Sequence, residues 1–155
     1  MNMQSNIIGI NTATAAGINF PELTAKTDFT AGLDPIYNEA GLKIDSTIGR
    51  VVTRRDNGAA LGVVGARYGV ADNGPIYQMI KEGAEAALPR EALKDIQLTE
   101  SASYGGQFTR IDLIFSGLGA DIRQLSGSST QLLFKIGLTN SFNGSGSIRL
   151  FSGAE

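Results

Sequence analysis

From Gln107 to Phe115 polar and apolar residues alternate. Thr109, Ile111, Leu113 and Phe115 fall on one face of an extended chain, and Arg110 and Asp112 fall on the other. That period of two predicts a half-buried strand. Gln131 to Thr139 repeats it, with Leu132, Phe134, Ile136 and Leu138 on one side and Lys135 on the other. Ser147 to Phe151 predicts a further strand with Ile148 and Leu150 inward and Arg149 outward. Ile96 to Ser103 reads as the partner of the 107–115 strand through a Tyr104-Gly105-Gly106 turn. Ser116 to Ser129, rich in Gly and Ser, predicts a link, and Asn140 to Gly146 a turn cluster.

Upstream, Thr47 to Arg54 carries the β-branched pair Val51-Val52 and runs into Asp56-Asn57-Gly58. Asn-Gly supplies the positive φ of a tight turn, so Ala59 to Tyr68 is expected to return as a second strand. The period then changes. Ile76, Met79, Ile80, Gly83 and Ala87 share one helical face, with Asp72 or Asn73 as cap and Pro75 in the first turn. Pro89 ends this helix and can begin a short second one through Ala92 and Leu93. Residues 1–33 show neither period and are expected to form an extended N-terminal arm, flexible or packed on a neighbouring subunit. Residues 34–155 then make a single α+β domain: a largely antiparallel β-sheet with one or two helices inserted after the first β-hairpin.

Composition narrows the chemistry. The 155 residues include no Cys, His or Trp. A Cys nucleophile, a Ser-His-Asp triad, a thiolate or imidazole metal site and a disulfide are therefore excluded. The 20 glycines are nearly twice the usual frequency and fit many turns and short strands. No apolar run is long enough for a membrane helix, and no basic region precedes the short Ile7-Ile8-Gly9-Ile10 stretch, so a soluble, cytoplasmic protein is expected.

The net charge of −2 hides a division. Residues 1–46 carry two lysines against five carboxylates, whereas the hairpin carries Arg50, Arg54, Arg55 and Arg67 against Asp56. Arg110, Lys135 and Arg149 each point away from the apolar face of their strands. Were those strands neighbours, they would form a cationic stripe, with Tyr68, Tyr104 and Phe151 as base-stacking partners. The competing reading is a solvated sheet face. Gly62-Val63-Val64-Gly65 and Gly117-Leu118-Gly119 fit neither phosphate-loop pattern, and strand bulges or close backbone packing account better for Gly62 and Gly65. Asp112 and Asp121 are the best-placed carboxylate pair for Mg²⁺ or acid–base work, but Asp112 beside Arg110 suits an ion pair. Ser101 and Ser103 have no visible base. No cofactor, metal or enzymatic activity is expected.

The hairpin also carries a resemblance. Leu33-Asp34-Pro35-Ile36-Tyr37, Arg50-Val51-Val52-Thr53-Arg54, Asp56-Asn57-Gly58, Leu61-Gly62-Val63-Val64-Gly65 and Arg67-Tyr68 resemble a family of phage- and plasmid-like proteins of unassigned function. Its hairpin reads V-x-R-x-D-x-G-x-x-L-G-x-V-G-x-x-Y, followed by an Asn, here Asn73, and a helix. Asn140-Ser141-Phe142-Asn143-Gly144-Ser145 is similar to a later N-S-x-D/N-G-S element of that family. The resemblance covers roughly residues 30–155 and implies a mobile-element setting in a host cytoplasm. Family members run on beyond the last strand, which implies a fragment, a short form or a diverged variant here. The arrangement is also similar, at the level of fold, to single-strand annealing recombinases of the Red-beta and Erf kind.

Together these readings lead to a non-enzymatic DNA-handling protein that binds or anneals single-stranded DNA in recombination as a homo-oligomer. Arg50, Arg54, Arg55, Arg67, Arg110, Lys135 and Arg149 would meet phosphates, and Tyr68 and Tyr104 would stack bases. The alternatives are a phage structural or assembly protein without nucleic acid, and a small phage modulator that binds a host protein.

Overall fold

The computed structural model describes Ile18, residues 20–123 and residues 129–154, with backbone alone for 119–123 and 129–131. The chain is α+β and mostly antiparallel sheet. Strands β1 (Ala31–Asp34), β2 (Arg50–Arg54) and β3 (Ala60–Val64) form one sheet in that order. Helix α1 (Asn73–Ala87) and a 3-10 turn (Arg90–Leu93) follow. Strands β4 (Ile96–Ser103), β5 (Phe108–Arg123), β6 (Ser129–Ser141) and β7 (Arg149–Ala154) form a second sheet, again in chain order.

The expected hairpin is β2–β3. Gly58 takes a φ of 74° in its turn, the conformation for which Asn-Gly is suited. Its register shifts between Val52 and Thr53, and an added Cβ at Gly62 would lie 2.6 Å from the Cα of Asn143. The extra residue of that bulge is Leu61, while Gly62 keeps its partner Val52 and is a point of close backbone approach. Gly65, by contrast, has nothing within 4 Å of such a Cβ. The boundary expected near residue 33 falls inside β1, which pairs with β2 from Ala31↔Arg54 to Asp34↔Val51. Thr27, Phe29 and Ala31 are buried, so this part of the expected arm belongs to the body. Residues 1–17 and 19 lie outside the described residues.

Two further expectations change. Most of the link predicted at 116–129 is strand, because β5 continues to Arg123 and β6 begins at Ser129. A register shift between Phe115 and Gly119 absorbs the irregularity. Gly117 explains why glycine is needed there: an added Cβ would lie 2.4 Å from the carbonyl oxygen of Glu91. Helix α1 buries Asn73, Tyr77, Ile80 and Ala84, a stripe rotated from the predicted one, and Met79 is 70% exposed. Ile148, just before β7, and Leu150 within it are also largely exposed, because β7 is the edge strand at the rim of the helix–sheet contact.

The larger core lies between α1 and one face of the second sheet. Tyr77, Ile80 and Leu93 meet Ile111, Leu113 and Phe115 there. Each fully buried side chain of this size contributes about 1.5–3 kcal/mol. The smaller core gathers Phe29, Val52, Leu61 and Val64 around Phe142, from the loop after β6. A polar knot lies at the start of α1. Asp72 occupies the N-cap position without capping, and its Oδ1 accepts from the Ala31 backbone N–H at 3.0 Å. Asn73 Nδ2 donates to the Thr27 carbonyl and to Thr109 Oγ1, both at 2.9 Å. Asn73 Oδ1 accepts from Asn140 Nδ2 at 3.0 Å, and Asn140 Nδ2 also donates to the Ala71 carbonyl. Asn73 is fully buried, so Asn73→Ala leaves several of these groups without partners. A loss of about 1–3 kcal/mol is expected in urea unfolding, with the slope unchanged.

Candidate nucleic-acid interface

The second sheet has one face on α1 and one outward. Register sets the outward face. Ser101, Arg110, Thr139 and Arg149 stand opposite one another across the four strands. The next row is Thr99, Asp112, Gly137 and Phe151, and the next is Gln97, Ile114, Lys135 and Gly153. Because β5, β6 and β7 are neighbours, Arg110, Lys135 and Arg149 share one face. Asp112 is the carboxylate among these three rows.

Aromatic rings border the cations. Tyr104, in the β4–β5 turn with a φ of 51°, is 76% exposed and meets Phe108 edge-on at 6.2 Å. Phe108 was missed in the sequence reading, although it shares the parity of Arg110. The Arg110 guanidinium carbon lies 5.2 Å from the centre of the Phe151 ring, and Arg110 Nε donates to Asp112 Oδ2 at 2.8 Å. The ring of Phe151 occupies the notch left by Gly137, where an added Cβ would lie 2.0 Å from it. Asp112 is buried on the near side of that glycine, and its Oδ1 has no hydrogen-bond partner.

Beside this row lies a cavity of about 330 Å³ between the sheet and residues 145–147. Arg110 and Arg149 line it together with hydroxyls of Ser101, Ser103, Thr139 and Ser147. Hydroxyl donors and guanidinium groups suit phosphate and sugar oxygens. These small residues were legible only as turn or strand residues; their parity with Arg110 was the available signal.

The hairpin cations lie elsewhere and have other contacts. Arg54 is buried, with its guanidinium carbon 3.9 Å from the centre of the Phe29 ring. It donates to the carbonyls of Ala25 and Gly105 and pairs with Asp56. That hydrogen bond lowers the pKa of Asp56. Arg50 Nη2 donates to the carbonyls of Ala66 and Tyr68 and braces the end of the hairpin. Arg55 pairs with Asp34 at 2.8 Å, which lowers the Asp34 pKa and raises that of Arg55. Arg67 is exposed. The Tyr68 hydroxyl donates to the Ser141 carbonyl at 3.1 Å, and burial pushes its pKa up. Its ring is partly buried against the smaller core, on the hairpin side rather than beside Arg110 and Arg149.

Asp112 is paired with Arg110, and the side chain of Asp121 lies outside the described part of the chain. Among the described residues no three carboxylates converge on a metal position, and no helix is long and apolar enough to cross a membrane. In comparison with known proteins, the chain matches no protein-family model, no curated protein and no solved structure.

Proposed function

We propose that this chain binds single-stranded nucleic acid, DNA in particular, on the outward face of its second sheet, without catalysing a reaction. The observation that carries the reading is the register that gathers Arg110, Lys135 and Arg149 on one face beside Tyr104, Phe108 and Phe151. A cationic track for phosphates beside exposed rings for bases is the physical requirement for strand binding with little sequence preference. Arg50, Arg54 and Tyr68 drop out of the interface, since they brace the hairpin side of the molecule, away from the outward face of the second sheet.

Fluorescence anisotropy with a labelled single-stranded oligonucleotide across a salt series tests this. Affinity should fall as salt rises, and Arg149→Ala should reduce the logarithmic salt slope by about 0.7. Tyr104→Ala should weaken binding by about 1–3 kcal/mol with little change in that slope. Absence of binding at low salt, or binding indifferent to salt and to both substitutions, would count against the proposal.

A further inference from the structure

The second sheet ends on β7, whose outer edge has no strand beside it among the described residues. All six residues of β7 are exposed. Edge strands are ordinarily protected by proline, inward-facing charge, lysine or a bulge. Arg149–Ala154 carries only Arg149, on the outward face. On the opposite face the edge opens into an apolar groove of about 380 Å³. Met79, Gly83 and Ala87 of α1 form one wall, and Phe134, Ile136 and Leu150 form the other, with no charged residue in the lining. Met79 is 70% exposed and Leu150 59%.

An occupant must bring a free strand edge and uncharged aliphatic side chains at alternate positions. A second copy of the chain brings the free edge of β7 with uncharged Leu150, Ser152 and Ala154 on the groove side, and a two-fold contact needs such self-complementarity. Antiparallel pairing of β7 with its copy keeps faces matched only when a residue sits on the axis. With Leu150 on the axis, it meets its own copy on the groove side, Arg149 stands opposite the copy's Phe151 on the outward face, twice, and Ser152 falls opposite the copy's Ile148, just outside β7. Apolar then meets apolar, and cation meets ring. Moving the axis to Phe151 or Ser152 sets Leu150 against Ser152 or Ala154 instead.

We propose that two copies join through β7 about a two-fold axis at Leu150, each closing the other's groove. The two outward faces then form one continuous surface with two sets of Arg110, Lys135 and Arg149. The contact itself needs no nucleic acid, so it stands or falls separately from the proposed function.

Sedimentation equilibrium of the full chain, without nucleic acid, tests it. The wild type should show a dimer mass that dissociates on dilution. Leu150→Lys should give a monomer whose thermal midpoint matches that of the wild type diluted to its monomer, because Leu150 is exposed in the single chain. Met79→Lys, on the groove wall away from the strand backbone, should weaken dimerisation at least about tenfold, or roughly 1.4 kcal/mol. Val63→Lys, at an exposed apolar position on the other sheet, should leave it unchanged. A monomer at all concentrations up to roughly 100 µM overturns the proposal. So does an oligomer that Leu150→Lys and Met79→Lys both leave intact.

Discussion

Phe142→Ala is expected to lower the unfolding free energy by about 3–5 kcal/mol, the range for removing a fully buried aromatic ring. Phe142 has no exposed surface, and its ring centre lies 5.0 Å from that of Phe29. Its backbone N–H donates to the Gln107 carbonyl at 2.7 Å, which fixes the loop after β6 against the start of β5. The ring is therefore the second sheet's contribution to the core of the first. Val52, Leu61 and Val64 pack around it, and among the described residues no helix side chain joins this cluster. Truncation leaves a cavity that these residues can fill only by moving the two sheets together. Gly62 already approaches the backbone of Asn143 too closely to allow much of that. Thermal unfolding should shift down by roughly 10 °C for a chain of this size. Amide exchange should speed up first in β2 and β3. Ile48→Ala, at a position 75% exposed, should stay within about 0.5 kcal/mol of the wild type. An equal effect from the two substitutions would refute the role given to Phe142.

Arg54→Met is expected to cost about 2–4 kcal/mol of stability while leaving the salt slope of oligonucleotide binding unchanged. Methionine keeps most of the apolar stem and removes the guanidinium. The carbonyls of Ala25 and Gly105 are then left without their donor, Asp56 without its partner and Phe29 without the cation on its face. The two carbonyls account for most of the cost, since orphaned acceptors beside a buried group are dearer than an exposed ion pair. The measurement is urea unfolding combined with anisotropy well below the melting temperature. The salt slope is the discriminating quantity. If Arg54 neutralised a phosphate, its removal would lower the slope by about 0.7, whereas a brace inside the fold leaves it alone. A lowered slope with unchanged stability would return Arg54 to the interface.

Strands β4 and β5 and their turn were legible because the alternation from Thr109 to Phe115 is unbroken and the turn glycines are unambiguous. The β2–β3 hairpin was legible for the same reason at Asn57-Gly58. Helix α1 was placed correctly, but its buried stripe was not. Met79 is apolar enough to read as core, but it lies at the rim of the helix–sheet contact, on the groove beside Leu150. The Gly/Ser character of residues 116–129 suggested a link, because sequence shows a glycine's freedom and not its neighbours. Gly117 serves the close approach of β5 to the turn after α1.

For the candidate interface, sequence determined parity. The alternation already placed Arg110, Lys135 and Arg149 on the polar sides of their strands. Strand order decided whether those sides coincide, and strand order depends on long-range pairing that no local pattern encodes. It also decided which arginines have work inside the fold. Arg54 and Arg110 look alike along the chain, each with an aspartate two positions on. Arg54 lies where the two sheets meet and is surrounded by carbonyls and an aromatic ring, so its charge is used there. Arg110 lies on the outward face of the second sheet, paired with Asp112 and beside the Phe151 ring, and it lines the cavity under residues 145–147. The missing Cys and His removed thiol and imidazole chemistry from the start. Only the packing of one sheet against the other separated the cations that hold the molecule together from those that face out of it.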